Sequence, residues 1–132
     1  MDLPGNFIRA TDKFNEPDAP VAAPLFRKVF ELGKTAVTSQ NSERSADSWT
    51  GELLICGLGF YTLHVNGRDI TKGALAPYIS NPDDIIYYDH YDITPYLREG
   101  KNVIGVCLGN GFFNDPGGHI WGFDKALWRG PL

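Results

Sequence analysis

At 132 residues and a net charge of −4, the chain is one domain in size and carries no basic run of the kind that binds nucleic acid or anionic membrane. Its 42% hydrophobic and 13% aromatic content is enough for a packed core and excludes global disorder, and no run approaches the ~18 apolar residues of a membrane helix. The 15 glycines and 9 prolines exceed the usual combined share of about 12%, which points to many turns and short strands.

Residues 1–24 stand apart. Pro4, Pro17, Pro20 and Pro24 interrupt them and no apolar period survives, so they read as an extended arm anchored by Phe7, Ile8 and Phe14. The domain proper is expected over 25–132. Its first strand begins at Leu25, with Phe26, Phe30 and Leu32 on one face, and ends at Gly33. The Ser-rich stretch 38–51 is a loop with Trp49 as its anchor. A long β segment is predicted from Glu52 to Val65, interrupted at Gly57 and Gly59 by a bulge or a close backbone approach. Asn66-Gly67 follows it. Both residues tolerate positive φ, so they form the type I′ turn of a hairpin.

Residues 71–84 hold Gly73, Pro77 and Pro82 and read as a surface connection. Ile85 to Ile93 is rich in strand formers. Thr94 then supplies an N-cap and Pro95 a first helical position, so Pro95 to Glu99 is predicted as one helical turn with Tyr96 and Leu97 inward. Asp92 is expected to tie the backbone of that turn. Asn102 to Leu108 is apolar on both faces and therefore central in its sheet. Gly109 to Gly122 is a glycine-rich, aromatic loop. The whole is an all-β sandwich with one short helical turn.

The chemistry-bearing side chains form no familiar catalytic set. Glycoside hydrolysis needs two flanking carboxyl groups about 5–9.5 Å apart, and the candidates Asp83, Asp84, Asp89, Asp92, Asp115 and Asp124 are scattered through turns and strands. Asp89, between tyrosines, is the least easily assigned to a structural task. His64, His90 and His119 lack zinc-ligand spacing. Cys56 and Cys107 each lie in an apolar run and read as buried free thiols. There is no Gly-x-Ser-x-Gly elbow, and Gly109-Asn110-Gly111 opens onto aromatics instead of a phosphate-binding helix.

The aromatic loop is the candidate site. Phe112, Phe113, His119, Trp121, Phe123 and Trp128 lie close together in sequence, with Asn110, Asn114 and Asp115 among them. Flat rings pack against the C–H face of a sugar while amide and carboxylate groups fix its hydroxyls. Large aromatics also dominate domain contacts and cores, so carbohydrate contact, interdomain contact and core packing all stand as readings of these residues. Asn66, Gly67, Asp92 and Thr94 are read as turn residues.

The segments LHVNGRDI and YDITPYLREGKNVIGV resemble the jelly-roll, galactose-binding-like domains of glycoside hydrolases, including those of β-galactosidases and β-glucuronidases. PLFRKVFEL (24–32), LLICGLGFYTLHVNGRDI (53–70) and VCLGNGFFN (106–114) together resemble the N-terminal β-sandwich domain of bacterial α-L-rhamnosidases, over roughly residues 24–130. The 38–51 loop is longer than that pattern, and the pattern continues into further strands after Gly130. The resemblance implies a fragment of a larger enzyme truncated at its C-terminus. It would be a non-catalytic accessory domain that supports a separate catalytic domain and helps recognise rhamnosylated substrate, while the parent enzyme removes terminal α-L-rhamnose. A stand-alone carbohydrate-binding module, the N-terminal sugar-binding domain of a β-galactosidase- or β-glucuronidase-type hydrolase, and an independent enzyme acting through Asp89 or Asp92 are the alternatives. Calcium occurs in the loops of many such sandwiches, but no metal or other cofactor is expected here. The expected partners are the catalytic domain and a carbohydrate ligand, with self-association through a sheet edge or apolar surface left open by truncation. With no signal-type start, the expected location is the bacterial cytoplasm.

Overall fold

A computed structural model describes residues 7–34, 49–81, 83–117 and 122–132. Six strands build it: β1 (Leu25–Leu32), β2 (Glu52–Ile55), β3 (Phe60–Val65), β4 (Arg68–Asp69), β5 (Asp89–Asp92) and β6 (Gly100–Gly109). They form a four-stranded antiparallel sheet in the order β1-β6-β3-β4 and a two-stranded antiparallel sheet, β2-β5. The all-β sandwich architecture is therefore present, with one core between the sheets.

Alternation explains that core. On β3, Tyr61, Leu63 and Val65 point inward and are buried, while Thr62 is exposed. Leu108 from β6, Tyr91 from β5, and Ile93, Ala76 and Leu132 complete the buried cluster. The β6 strand lies between β1 and β3, as its two apolar faces predict. Asn66 and Gly67 carry φ of 51° and 84°. Val65 pairs with Arg68 and His64 with Asp69 across them, giving the expected hairpin.

Four expectations are corrected. The segment Glu52 to Val65 is two strands in different sheets. The chain crosses over at Gly57-Leu58-Gly59, and a Cβ on Gly59 would lie 1.9 Å from the Gly109 carbonyl oxygen. The predicted strand from Ile85 begins only at Asp89, because the four residues of β2 offer partners to four residues of β5 and no more. Ile85 to Tyr88 are exposed: strand propensity describes a fit to a half-buried pleated surface, and among the described residues no strand pairs with them to supply one.

The third correction concerns the helical turn, a 3₁₀ turn at Thr94–Tyr96 with Ile93 at its cap position. The Thr94 hydroxyl instead accepts the Gly51 N–H at 3.0 Å, and Asp92 accepts the Thr94 N–H at 2.9 Å. Tyr96 and Leu97 do pack on the core. Finally, Phe7 and Ile8 are exposed instead of buried as anchors, and Phe14 lies under the Arg129 guanidinium, 4.8 Å from its ring centre. Residues 7–24 are held mainly by polar bonds. Leu132 O accepts the N–H groups of Ala10 and Thr11, at 3.0 and 3.1 Å. Arg129 donates to Asn15 O at 2.6 Å and to Glu16.

Trp49 donates its indole N–H to Gly33 O at 3.2 Å. Residues 38–48 of the predicted Ser-rich loop lie outside the described residues.

Candidate functional site

Where β3 begins and β6 ends, Phe60 pairs with Gly109. The glycine-rich loop after Gly109 then turns back over this end of the sheet. Gly111 takes a φ of 52°, with its α-carbon held so close to Gly59 and Phe60 that an added Cβ would be 3.2 Å from the Gly59 Cα. The turn stacks four rings in a row. Phe60 and Phe112 meet edge to face at 6.2 Å, Phe112 and Phe123 at 5.0 Å, and Phe123 and Trp128 are tilted at 5.8 Å.

This row forms one wall of a hollow of about 580 Å³, within the usual size range of small-molecule sites. The crossover Cys56-Gly57-Leu58-Gly59 lines a second side. Residues 77–81 with Asp83, Ile86 and Tyr87 line the third. Phe112, Phe113 and Trp128 are thus brought together as the sequence suggested. His119 and Trp121 lie outside the described residues.

The polar members of the candidate set hold the loop in place. Asn114 is fully buried. Its amide donates to Asn110 Oδ1 at 3.0 Å, and its Oδ1 accepts the Asn15 N–H at 3.0 Å. The Asn110 amide donates to Val21 O at 3.0 Å. Asp115, also buried, accepts the Gly117 N–H at 2.8 Å. None of these three asparagine and aspartate residues of the loop lines the hollow. Its described polar lining comes from a segment that reads in sequence as a plain surface connection: Tyr78, Ser80, Asn81, Asp83 and Tyr87. The available signal was the run of large apolar and aromatic side chains around Asn81-Pro82, more than a solvated loop needs.

The carboxylates are dispersed. Asp83 is the one carboxylate among the described lining residues. Asp84 accepts from the Asn81 amide at 2.7 Å. Asp89 accepts the Tyr61 hydroxyl proton, and the Tyr61 and Tyr91 hydroxyls are 3.0 Å apart. Tyr91 Oη in turn accepts the Lys72 N–H at 3.1 Å, so this is a directed chain of donors ending on a carboxylate. Burial, followed by the bonds to Asp89 and Tyr91, pushes the Tyr61 phenol far above its ordinary value. Tyr61 therefore stays neutral and donates. Burial, with the nearby Asp89 charge, also raises the Cys56 thiol. Cys56 and Cys107 are both free thiols, and the raised Cys56 thiol is a poor nucleophile at neutral pH. Among the described residues, no group of three or more His, Cys, Asp or Glu is placed to hold a metal ion.

These features define a class: an all-β sandwich domain with an aromatic hollow at the end of its larger sheet. Residues 48–130 match the family of α-L-rhamnosidase N-terminal domains, and the chain belongs to that family. It is 37% identical over 117 residues to an α-L-rhamnosidase of Formosa agariphila, an alignment covering 83% of this chain and 10% of that protein. Among solved structures, it resembles the native α-L-rhamnosidase from Aspergillus terreus with a TM-score of 0.62 and 26% identity, over 92% of this chain and 12% of the other. The α-L-rhamnosidase from Dictyoglumus thermophilum gives a TM-score of 0.56 and 36% identity, over 68% of this chain and 9% of the other. The chain spans about a tenth of the length of these relatives.

Proposed function

We propose that this domain is a non-catalytic accessory part of a glycoside hydrolase that removes terminal α-L-rhamnose, supporting the catalytic domain and helping to hold the rhamnosylated substrate. The observation that carries this reading is the hollow itself. It is aromatic-walled and of ligand size, yet it has one carboxylate, Asp83, among its described lining residues, where hydrolysis of a glycosidic bond calls for two. Asp89 and Asp92, the other carboxylates considered for catalysis, are engaged with Tyr61 and with the Thr94 turn. Family membership supports the choice of this sugar and of this parent activity.

The test is direct. The purified 132-residue chain is expected to release no aryl group from an aryl α-L-rhamnoside above the buffer rate. Release at an enzyme-like rate, abolished by Asp89→Asn, would overturn the reading. In the full-length enzyme, removing residues 25–132 is expected to lower the unfolding temperature of the catalytic part and raise KM. A truncated enzyme unchanged in both would remove the supporting role.

A further inference from the structure

We infer that the free edge of β1 docks the same edge of a second copy of this chain, the two strands running antiparallel about a two-fold axis through Val29. The inference is independent of the accessory-domain reading, because no residue of β1 lines the hollow.

The larger sheet runs β1-β6-β3-β4, so β1 and β4 are its outer strands. β4 has two residues and β1 has eight. The strands of the smaller sheet have four each. Among the described residues, β1 is therefore the longest strand with an unpaired side.

The register fixes which backbone groups that side offers. Leu108 donates to Pro24 O at 3.0 Å. Phe26, Lys28 and Phe30 stand opposite Val106, Ile104 and Asn102. Hydrogen-bonded positions alternate along an antiparallel ladder, so the even-numbered residues of β1 bond to β6. The other side of β6 agrees, since Asn66 donates to Val103 O at 2.9 Å and the odd-numbered residues of β6 face β3. The N–H and C=O groups of Leu25, Arg27, Val29 and Glu31 point away from the sheet, a template for another strand.

Charged side chains on an edge ordinarily block such pairing. Here they are of both signs, and one register turns them into attraction. Outward-facing groups must meet outward-facing groups, so a two-fold axis has to pass through a residue. An axis through Val29 sets Arg27 opposite Glu31 of the second copy, twice over, with Phe26 opposite Leu32 and Lys28 opposite Phe30. Axes through Arg27, Lys28 or Glu31 set a like charge against itself. An axis through Phe30 leaves Arg27 opposite Gly33 and Glu31 opposite Val29. Arg27 and Glu31 are exposed, and neither has an ion-pair or side-chain hydrogen-bond partner among the described residues. Gly33 O already accepts the Trp49 indole N–H at 3.2 Å, which ends the shared ladder near Leu32.

The 132-residue chain is followed by sedimentation velocity over a concentration series. A monomer–dimer equilibrium with a Kd on the order of 100 μM is expected for so short a contact. Arg27→Glu and Glu31→Arg each turn two attractive pairs into repulsive ones and should each weaken association by roughly tenfold. The double variant Arg27→Glu/Glu31→Arg restores opposite charges in this register alone, and should return association to within about threefold of the parent. Val29→Pro removes a donor that β6 does not use, so it should keep the fold and lose the dimer. Val29→Cys should cross-link to itself under mild oxidation, because directly opposed α-carbons lie about 5.5 Å apart, within disulfide reach. Leu25→Cys, 79% exposed as leucine, should not, since the two copies of position 25 would be roughly 27 Å apart.

A chain that stays monomeric up to about 1 mM, ten times the expected Kd, would overturn the inference. So would a dimer that the single charge changes leave untouched, which would place its contact elsewhere, as at the exposed residues 85–88. Failure of the double variant to regain association would overturn the register. The charge variants alter exposed side chains, so an unchanged unfolding temperature separates loss of the contact from loss of the fold.

Discussion

Asn66 and Asn102, 36 positions apart, share a hydrogen bond of 2.8 Å from the Asn66 amide to Asn102 Oδ1. Each also satisfies backbone groups that the strands leave over. Asn66 donates to Tyr96 O at 2.7 Å and accepts the Val103 N–H at 2.9 Å. Asn102, fully buried, accepts the Arg98 N–H at 3.0 Å and donates to the carbonyls of Arg98 and Gly100. The hairpin, the 3₁₀ turn and the start of β6 are thereby fastened together by two amides.

Asn102→Leu is expected to destabilise the domain by about 3 kcal/mol or more, because it strands buried backbone donors and acceptors with no water to replace the amide. Asn102→Asp should be nearly as damaging, since a carboxylate oxygen would then face the Arg98 and Gly100 carbonyls. Urea unfolding measures both. A loss below about 1 kcal/mol for the leucine variant would show that the network is dispensable.

Gly59→Ala should fail to fold or lose about 3 kcal/mol or more, because the new methyl would sit 1.9 Å from the Gly109 carbonyl oxygen. Gly73 is the control: nothing lies within 4 Å of its would-be Cβ. Gly73→Ala should stay within about 0.5 kcal/mol of the parent. Thermal unfolding of the pair checks the contrast, and equal behaviour would refute the close approach of β3 and β6.

Asn114→Ala should loosen the arm. It removes the acceptor of the Asn15 N–H and the donor to Asn110, at a cost of about 2 kcal/mol. Limited trypsinolysis should cut after Lys13 faster than in the parent, before the sandwich itself is cleaved. Unchanged cleavage at Lys13 would mean that Arg129 and Leu132 hold the arm without Asn114.

Acid should expose the turn chemistry. Hydrogen bonds from Thr71 hold the Asp69 carboxyl below its ordinary 3.8, and those from Thr94 do the same for Asp92. A carboxyl lowered in the folded state contributes stability that is complete above the unfolded value and is lost as pH falls through the folded one. The parent should therefore lose more stability between about pH 5 and about pH 2 than Asp69→Asn/Asp92→Asn does. Parallel acid curves in chemical unfolding would contradict this.

The sequence by itself determined the local pieces and the family. Asn66-Gly67 had to be a hairpin turn because the pair tolerates positive φ. Tyr61-Thr62-Leu63-His64-Val65 had to bury alternate side chains, and the doubly apolar Asn102–Leu108 run had to be internal. The segments resembling rhamnosidase domains fall within or beside these pieces. Tertiary structure alone decided what lay between them. Gly59 divides a continuous apolar run only because Gly109 comes to rest against it. Ile85 to Tyr88 have strand propensity and no strand, because β2 is four residues long. Asn110 and Asn114 look like ligand-binding groups in a loop, yet they bond to Asn15 and Val21, nearly a hundred positions earlier. Tyr78, Ser80 and Asp83 look like an ordinary connection, yet they line the hollow. Periodicity and turn chemistry act between neighbours in the chain and can be read along it. The partner of a buried amide, and the wall opposite an aromatic ring, are set by long-range packing that no single stretch of sequence contains.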